Sequence, residues 1–411
     1  LNTALQIATQ LIKYTEESFS KFIVKLTIFA IALSVSAMIV SICMVQGFTL
    51  QIKDRIFGFW SHAEIVSNEN NDNYEPTPIN FDKKLFNKIS KTENVHHIST
   101  YIIKSGIIKT KNEMEGIVLK GVDDEYDWSF MKKYLLAGSL PRLNKDSNLL
   151  YKDILISKST ASRLNVKNND KLIIYFLNKG QSQPIGRKFN ICGIYHTGLE
   201  EYDTKYAITD MHIIQQLNRW DKNMIHGYEI KVSNWKKLVS TVDKIYNNLL
   251  PKELYIYTIE EKYPNIFDWL TLQKWTSSFA LILLLIIALF NMITALLLII
   301  LDKIKTIGIL KALGANNWFI RKTFIYNAIL TIGIGIFIGN ILGLSLCLLQ
   351  KYFGIIKMNE ENYYFSYAPV EIQFLPILFI NLIVIVIGMA TLLIPSGIIT
   401  KISPVKVLRF D

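Results

Sequence analysis

The residues of this chain that could do covalent chemistry are few and badly placed for it. Gly308 and Gly314 form a superficial glycine pair, but Ala315-Asn316 follows where a phosphate-binding loop needs Lys and Ser or Thr. His96 and His97 are adjacent, so in a strand they point to opposite faces and are not expected to share a metal; no H-E-x-x-H or C-x-x-C occurs. Cys43 and Cys347 lie inside long apolar runs and Cys192 in a strand-like stretch, which leaves no pair with disulfide spacing in the polar region between the first two runs. No nucleophile, base or metal set emerges, so a free-standing enzyme is disfavoured. What the residues do offer is recognition. Between Lys303 and Arg321, Ile304, Ile307, Leu310 and Leu313 recur at helical spacing on a short basic segment that Gly314 should close as a C-cap. Such a stripe either lies along a membrane or docks into a groove of a cytosolic protein, and small Gly308 and Ala312 would let that partner approach closely.

Four apolar runs position this segment: 22–48, 270–301, 324–350 and 372–399. The charge-free part of each exceeds the roughly 20 residues that cross a hydrocarbon core. Half of the residues are hydrophobic, yet the stretch from Asn80 to Lys262 has the mixture of a soluble domain, so the apolar excess sits in the runs. The formal charge of +11 is scattered rather than gathered on one face, which argues against nucleic acid. Orientation follows from the basic residues of the short connections. Region 302–323 carries Lys303, Lys305, Lys311, Arg321 and Lys322 against Asp302, and the tail 400–411 carries Lys401, Lys406 and Arg409 against Asp411, so both are expected in the cytoplasm. Region 351–371 balances its lysines with Glu360, Glu361 and Glu371, is rich in Tyr and Phe, and is expected outside. Residues 1–21 read as a cytoplasmic amphipathic lead-in rather than a cleaved signal peptide. The fold class is then an α-helical membrane domain of four transmembrane helices, with a large α+β extracytoplasmic domain, 49–269, inserted between the first and second.

No ionisable residue interrupts the centres of the runs, which weighs against a proton relay or ion pump. Asn291 is the notable polar group at that depth; it is expected to face protein as interhelical glue, with substrate contact as the second reading. Gly333, Gly335, Gly339 and Gly343 permit close helix approach, either between subunits or within the chain.

The outer domain reads as mixed. Asn80 is expected to cap a helix through Ser90, before strands at 98–103, 106–109 and 116–120. A strand at 153–157, a helix at 158–164 and a turn at Asn168-Asn169-Asp170 lead into a period-two strand at 171–177, with 187–195 returning antiparallel. A helix at 209–219, a strand at 228–232, a helix at 235–249 and a strand at 254–258 complete it. The strand-rich middle suggests two subdomains, one inserted in the other.

Asn291-Met-Ile-Thr, Ile307-Gly-Ile-Leu-Lys-Ala-Leu-Gly-Ala315 and the terminal Ile402-Ser-Pro-Val-Lys-Val-Leu-Arg-Phe-Asp411 together resemble the FtsX-like permeases, in their lipoprotein-releasing LolC/LolE branch. Val45-Gln-Gly-Phe48, Ile56-Phe-Gly-Phe59 with His62, Tyr195-His-Thr-Gly-Leu-Glu-Glu-Tyr-Asp203 and Gly227-Tyr-Glu229 extend the resemblance along the chain. It implies a multi-pass protein of the bacterial inner membrane with its large domain in the periplasm, serving as permease of a mechanotransmission ABC transporter. Two such permeases, copies or paralogues, would pair with separate cytosolic ATPase subunits. No cofactor is expected on this chain; ATP and Mg belong to the ATPase. The coupling segment would be Ile304, Lys305, Ile307, Gly308, Ile309, Leu310, Lys311, Ala312, Leu313, Gly314 and Ala315. A lipoprotein would enter from the outer leaflet into a cavity lined by Met44, Val45, Phe48, Ile52, Phe267, Leu270 and Trp275. A periplasmic carrier would be met at the turn 177–187, through Gln183, Pro184, Ile185, Gly186 and Arg187, a site that could equally be a plain surface turn. The alternatives within the resemblance are an FtsX-type relay to a periplasmic cell-wall hydrolase, or an exporter permease for small amphiphiles or peptides.

Overall fold

Apolar runs continue as helix for as long as the following residues keep one face apolar. In the computed structural model, which describes residues 19–69, 77–110, 113–144, 151–178, 183–358 and 365–391, helix α1 (Phe19–Trp60) passes the expected end at Phe48. Ile52, Ile56 and Phe59 recur on its buried face while Gln51 and Asp54 stay exposed, and Ser61, at φ +64°, ends it. Residues 1–18 lie outside the described residues, and with them nearly all of the expected lead-in.

The chain then forms β1 (Ala63–Ser67), β2 (Ile79–Asn80), α2 (Lys83–Ser90), β3 (Val95–Lys109), β4 (Met114–Val122), α3 (Ser129–Tyr134) and β5 (Leu135–Gly138). Next come β6 (Asp153–Ser157), α4 (Lys158–Arg163), β7 (Lys171–Phe176), β8 (Ile185–Tyr195), α5 (Glu200–Asp203), β9 (Tyr206–Asp210) and α6 (Met211–Asn218). After these follow β10 (Met224–Ile225), β11 (Gly227–Val232), α7 (Leu238–Asn248), β12 (Leu254–Thr258) and α8 (Ile259–Lys262). The remaining helices are α9 (Pro264–Asp302), α10 (Ile304–Ala312), α11 (Asn317–Phe353) and α12 (Phe374–Thr391).

The chain divides into two units. Unit 1 is Leu1–Leu50, Trp269–Met358 and Tyr367–Asp411; unit 2 is Gln51–Asp268 with Asn359–Ser366.

In unit 1, α1, α9 and α11 are long and apolar enough to cross a membrane. The apolar α12 is described only to Thr391, and the rest of the fourth expected run lies outside the described residues. Three of the four glycines serve packing within the chain. A Cβ on Gly335 would come 2.8 Å from Ile31, one on Gly339 2.8 Å from the Ala32 carbonyl, and one on Gly343 3.1 Å from Ile39, so α11 lies against α1 backbone to backbone. Gly333 faces open space. Asn340 and Asn381, not singled out from the sequence, exchange amide hydrogen bonds at 2.9 Å in both directions and tie α11 to α12. Each satisfies the other where solvent cannot.

Unit 2 is built on one mixed ten-stranded sheet in the order β12-β1-β11-β3-β4-β9-β6-β8-β5, with β7 bridging β3 and β8. β4/β9 and β6/β8 run parallel, and the other pairs antiparallel. Two subdomains were expected; ten strands join in one connected sheet, and β2 and β10 pair in a separate two-stranded sheet. The break expected before Gly106 is also absent. β3 runs unbroken through Ser105-Gly106, and the glycine is there because a Cβ would meet Ile174 at 2.7 Å and Phe176 at 2.8 Å. The cap of α2 is Asp82 rather than Asn80: its carboxylate accepts the N–H of Lys84 at 2.7 Å and of Leu85 at 3.3 Å, while Asn80 pairs with Met224 in a short strand. Thr209 and Asp210 end β9, and Asp210 caps α6.

Candidate functional site

The basic segment after α9 folds as the helix α10, closed by Gly314 in the left-handed region at φ +88°. The Gly314 N–H donates to Lys311 at 3.0 Å and the Ala315 N–H to Leu310 at 2.9 Å, the paired bonds of a Schellman end. Its apolar residues divide between two faces. Ile307, fully buried, and Gly308 turn into the core of unit 1, where Ile307 joins Ile300, Ile320 and Phe324. Ile309 is 51% exposed and Leu313 80%, and Lys305, Ala312 and Gly314 share their exposure. Ile304, Leu310, Lys311 and Ala315 are half-buried. The exposed apolar stripe is therefore Ile309 and Leu313, continued by Trp318 at the start of α11, and not the spacing of Ile304, Ile307, Leu310 and Leu313. Ile307 and Gly308 present no surface to a partner; their work is to hold α10 onto its own unit.

The expected lipid-facing set is divided too. In unit 1, Met44, Val45 and Phe48 are half-buried and Trp275 is 72% exposed, whereas Leu270 is buried in the chain's own packing. The Phe48 ring lies 5.4 Å from that of Trp269. Ile52 and Phe267 fall in unit 2, where Ile52 is fully buried and Phe267 stacks on Phe57 at 6.1 Å. Asn291, expected to face protein, is exposed on α9 beside Ile287 and Phe290, and among the described residues no helix covers it.

Strand register locates the residues that flank 179–182. β7 and β8 pair from Lys171 opposite Asn190 to Phe176 opposite Ile185, which puts Ile185, Gly186 and Arg187 in the strand and Gln183 and Pro184 just beyond it. Residues 179–182 lie outside the described residues. A cavity of about 480 Å³ opens beside this end of the sheet, lined by Ile107, Met114, Tyr175, Leu177 and Pro184 among others.

Sequence reasoning missed a set of buried charges in unit 2. Glu64 of β1, fully buried, accepts the hydroxyls of Tyr101 at 2.6 Å and Tyr257 at 2.7 Å and the ammonium of Lys262 at 2.7 and 2.8 Å. Directly across the β1/β11 register stands Glu229, paired with the fully buried Lys120 at 2.6 Å. The Lys120 ammonium also donates to the Phe59 carbonyl at 2.6 Å, at the C-terminus of α1. Both ammoniums lie over the indole of Trp60, Lys120 at 4.5 Å and Lys262 at 4.2 Å from its centroid. Burial pushes the Lys120 ammonium down and the Glu229 carboxyl up, against the pull of each on the other. Burial would raise Glu64 as well, but the Lys262 charge and the three donors outweigh it and hold it below the usual carboxylate range. Nearby, burial lowers His226 to about 3, and burial with the charges of Lys231 and Lys53 lowers His62 to about 4, so both imidazoles are neutral. Only strand register reveals the cluster; along the sequence Lys120 and Glu229 are ordinary charged residues of strands.

Among the described residues no group of three or more His, Cys, Asp or Glu could hold a metal. Residues 278–404 match the family model described as FtsX-like permease C-terminal. The whole chain is similar to curated relatives: 24% identical over 400 residues, 94% of each chain, to the lipoprotein-releasing system transmembrane protein LolE of Haemophilus influenzae. It is 27% identical over 402 residues, 95% of this chain and 94% of the relative, to the corresponding LolC of Buchnera aphidicola subsp. Schizaphis graminum. Over nearly its whole length the chain is similar to the LolC and LolE permeases, and its C-terminal part to the FtsX-like permeases. The permease match begins inside α9 and takes in α10, α11 and α12, which places the exposed Ile309–Leu313 stripe within the shared region. Among solved structures, the periplasmic region of MacB from Actinobacillus actinomycetemcomitans aligns at 14% identity and a TM-score of 0.35, over 52% of this chain and 96% of its own.

Proposed function

We propose that this chain is the membrane permease of an ATP-driven complex that releases lipoproteins from the bacterial inner membrane, working by transmitted motion rather than by passage through a pore. The observation that carries the reading is similarity to LolC and LolE along nearly the entire chain. In this reading α1, α9, α11 and α12 cross the membrane, both termini and the region 302–323 are cytoplasmic, and 49–269 and 351–371 are periplasmic. A separate ATPase subunit, carrying ATP and Mg, seats on α10 through Lys305, Ile309, Ala312 and Leu313; their exposure on a helix whose other face is fixed to unit 1 supports this role. A second permease, a copy or a paralogue, covers the exposed side of α9. An amide in hydrocarbon is costly without a partner, and none of the described helices lies over Asn291.

The cargo's acyl chains are held against the exposed and half-buried residues Met44, Val45, Phe48 and Trp275 of unit 1. Extraction at about 0.8 kcal/mol per buried CH₂ is steep enough to require coupling to ATP. A periplasmic carrier is met at Gln183, Pro184, Ile185, Gly186 and Arg187, and the apolar cavity beside them supports a contact there. The test is purification of the chain from native membranes in mild detergent. An ABC ATPase and acylated N-terminal peptides should co-elute, and the acylated peptides should leave on addition of ATP. Co-elution of the ATPase with unlipidated proteins alone would overturn the cargo assignment.

A further inference from the structure

The paired charges around Trp60 join the ends of α1 and α8 to β1, β3, β4, β11 and β12. α1 ends at Phe59 and Trp60; Lys262 is the last residue of α8, two positions before α9 begins at Pro264. Lys120 holds the end of α1 by its Phe59 carbonyl and ties it to β11 through Glu229. Lys262 ties α8 to β1 through Glu64, and Glu64 draws in β3 and β12 through Tyr101 and Tyr257. Trp60 lies under both ammoniums. Glu64 and Glu229 face each other across the register, so the two carboxylates would repel one another without the lysine that each one pairs with.

Stability does not explain the choice of residues. A buried ion pair replaced by apolar side chains of similar volume is commonly as stable or more so. Apolar packing, however, has no direction: it lets a helix end turn or slide at small cost, whereas an ammonium fixed at once to a carbonyl, a carboxylate and a ring face does not.

We propose that Lys120, Glu229, Glu64 and Lys262 around Trp60 form the joint that makes the ends of α1 and α8 move as one body with the sheet, so that helix displacement becomes displacement of the sheet. These are positioning residues, and the proposal rests on the reading that transmitted motion does this permease's work.

The experiment uses the full chain assembled with its ATPase in nanodiscs, with spin labels at two exposed positions of unit 2, Gln51 on α1 and Lys188 on β8. In the parent protein the distance between labels should stay narrow and unchanged between nucleotide-free and ATP-vanadate states. In K120M/E229L, which removes both charges together, the chain should assemble and hydrolyse ATP as before. The distance should broaden when nucleotide binds, and lipoprotein release should fall at least tenfold. W60F, which keeps both pairs but reduces the shared ring, gives an intermediate broadening and serves in its place should the double variant not assemble. A variant with the parent's narrow distance overturns the proposal, whether its release is lost or kept. A narrow parent distance that broadens in the variant, in a complex that never releases lipoprotein, would instead uphold the joint and overturn the functional reading.

Discussion

Leu313 is the sharpest test of the proposed ATPase seat on α10. It is 80% exposed, and with Ile309 at 51% it forms the apolar ridge of a helix whose opposite side is locked by the fully buried Ile307. Burying a leucine side chain against a partner contributes about 1.5–3 kcal/mol. Since most of Leu313 is open to the partner, Leu313→Ala should lose about 2 kcal/mol of that contact, a roughly 30-fold weaker affinity at about 1.4 kcal/mol per tenfold. Leu313→Asp adds the desolvation of a carboxylate and should exceed 100-fold on the same scale. The comparison is Ile307→Val. It trims a methyl from the buried side, costs the fold about 0.5–1.5 kcal/mol, and should leave the partner's affinity unchanged. The assay titrates purified ATPase subunit onto the permease in nanodiscs and reads the dissociation constant by fluorescence anisotropy. Affinity for Leu313→Asp within threefold of the parent would refute the assignment of this ridge to the ATPase.

Three further outcomes follow from named contacts. Asn340→Leu and Asn381→Leu should each destabilise the helix assembly in detergent by about 0.6–1.7 kcal/mol while the double substitution recovers most of the loss, measured as a double-mutant cycle in SDS unfolding. Gly339→Val should separate α11 from α1, because its Cβ would stand 2.8 Å from the Ala32 carbonyl, and should lower the yield of monodisperse protein on size exclusion; Gly333→Val, in open space, should not. Unit 2 should lose stability in acid. The imidazoles of His226 and His62, at about 3 and about 4 when folded, take up protons near their ordinary 6.5 only on unfolding, so stability is complete above that value and falls as the pH drops below it. Between pH 7 and pH 5 each contributes a loss of about 2 kcal/mol. The facing charges are Lys231 and Lys53 at His62, and Glu64 and Lys262 at His226. A chain carrying His62→Gln and His226→Phe should show a correspondingly flatter thermal shift over that range.

Long-range order was legible wherever a short pattern decides it. Apolar length gave α1, α9 and α11, and period-two alternation gave a strand at 171–177, found at 171–176, while its antiparallel return, expected at 187–195, starts at Ile185. The ends were less legible. α1 runs on to Trp60 because its extension is amphipathic on the protein side, and α2 starts at Asp82 because Asn80 is taken by a strand pair with Met224, a partner far away in sequence. Site residues divided in the same way. The segment 304–315 stood out as a short basic helix with an apolar stripe, but which of its faces is exposed depended on where unit 1 buries Ile307 and Gly308. The charges around Trp60 carried no local signal, for it is the cross-strand register that sets Glu64 beside Glu229 and the end of a helix that brings Lys120 its carbonyl.

The measurement that bears most directly on the account is release itself. The chain, its ATPase and its companion permease are reconstituted in proteoliposomes with an acylated lipoprotein, and the soluble carrier is supplied outside. Lipoprotein should pass to the carrier only with ATP, and not with an ATPase variant that binds but cannot hydrolyse it. Transfer at the same rate without hydrolysis, or hydrolysis with the lipoprotein left in the membrane, would contradict it.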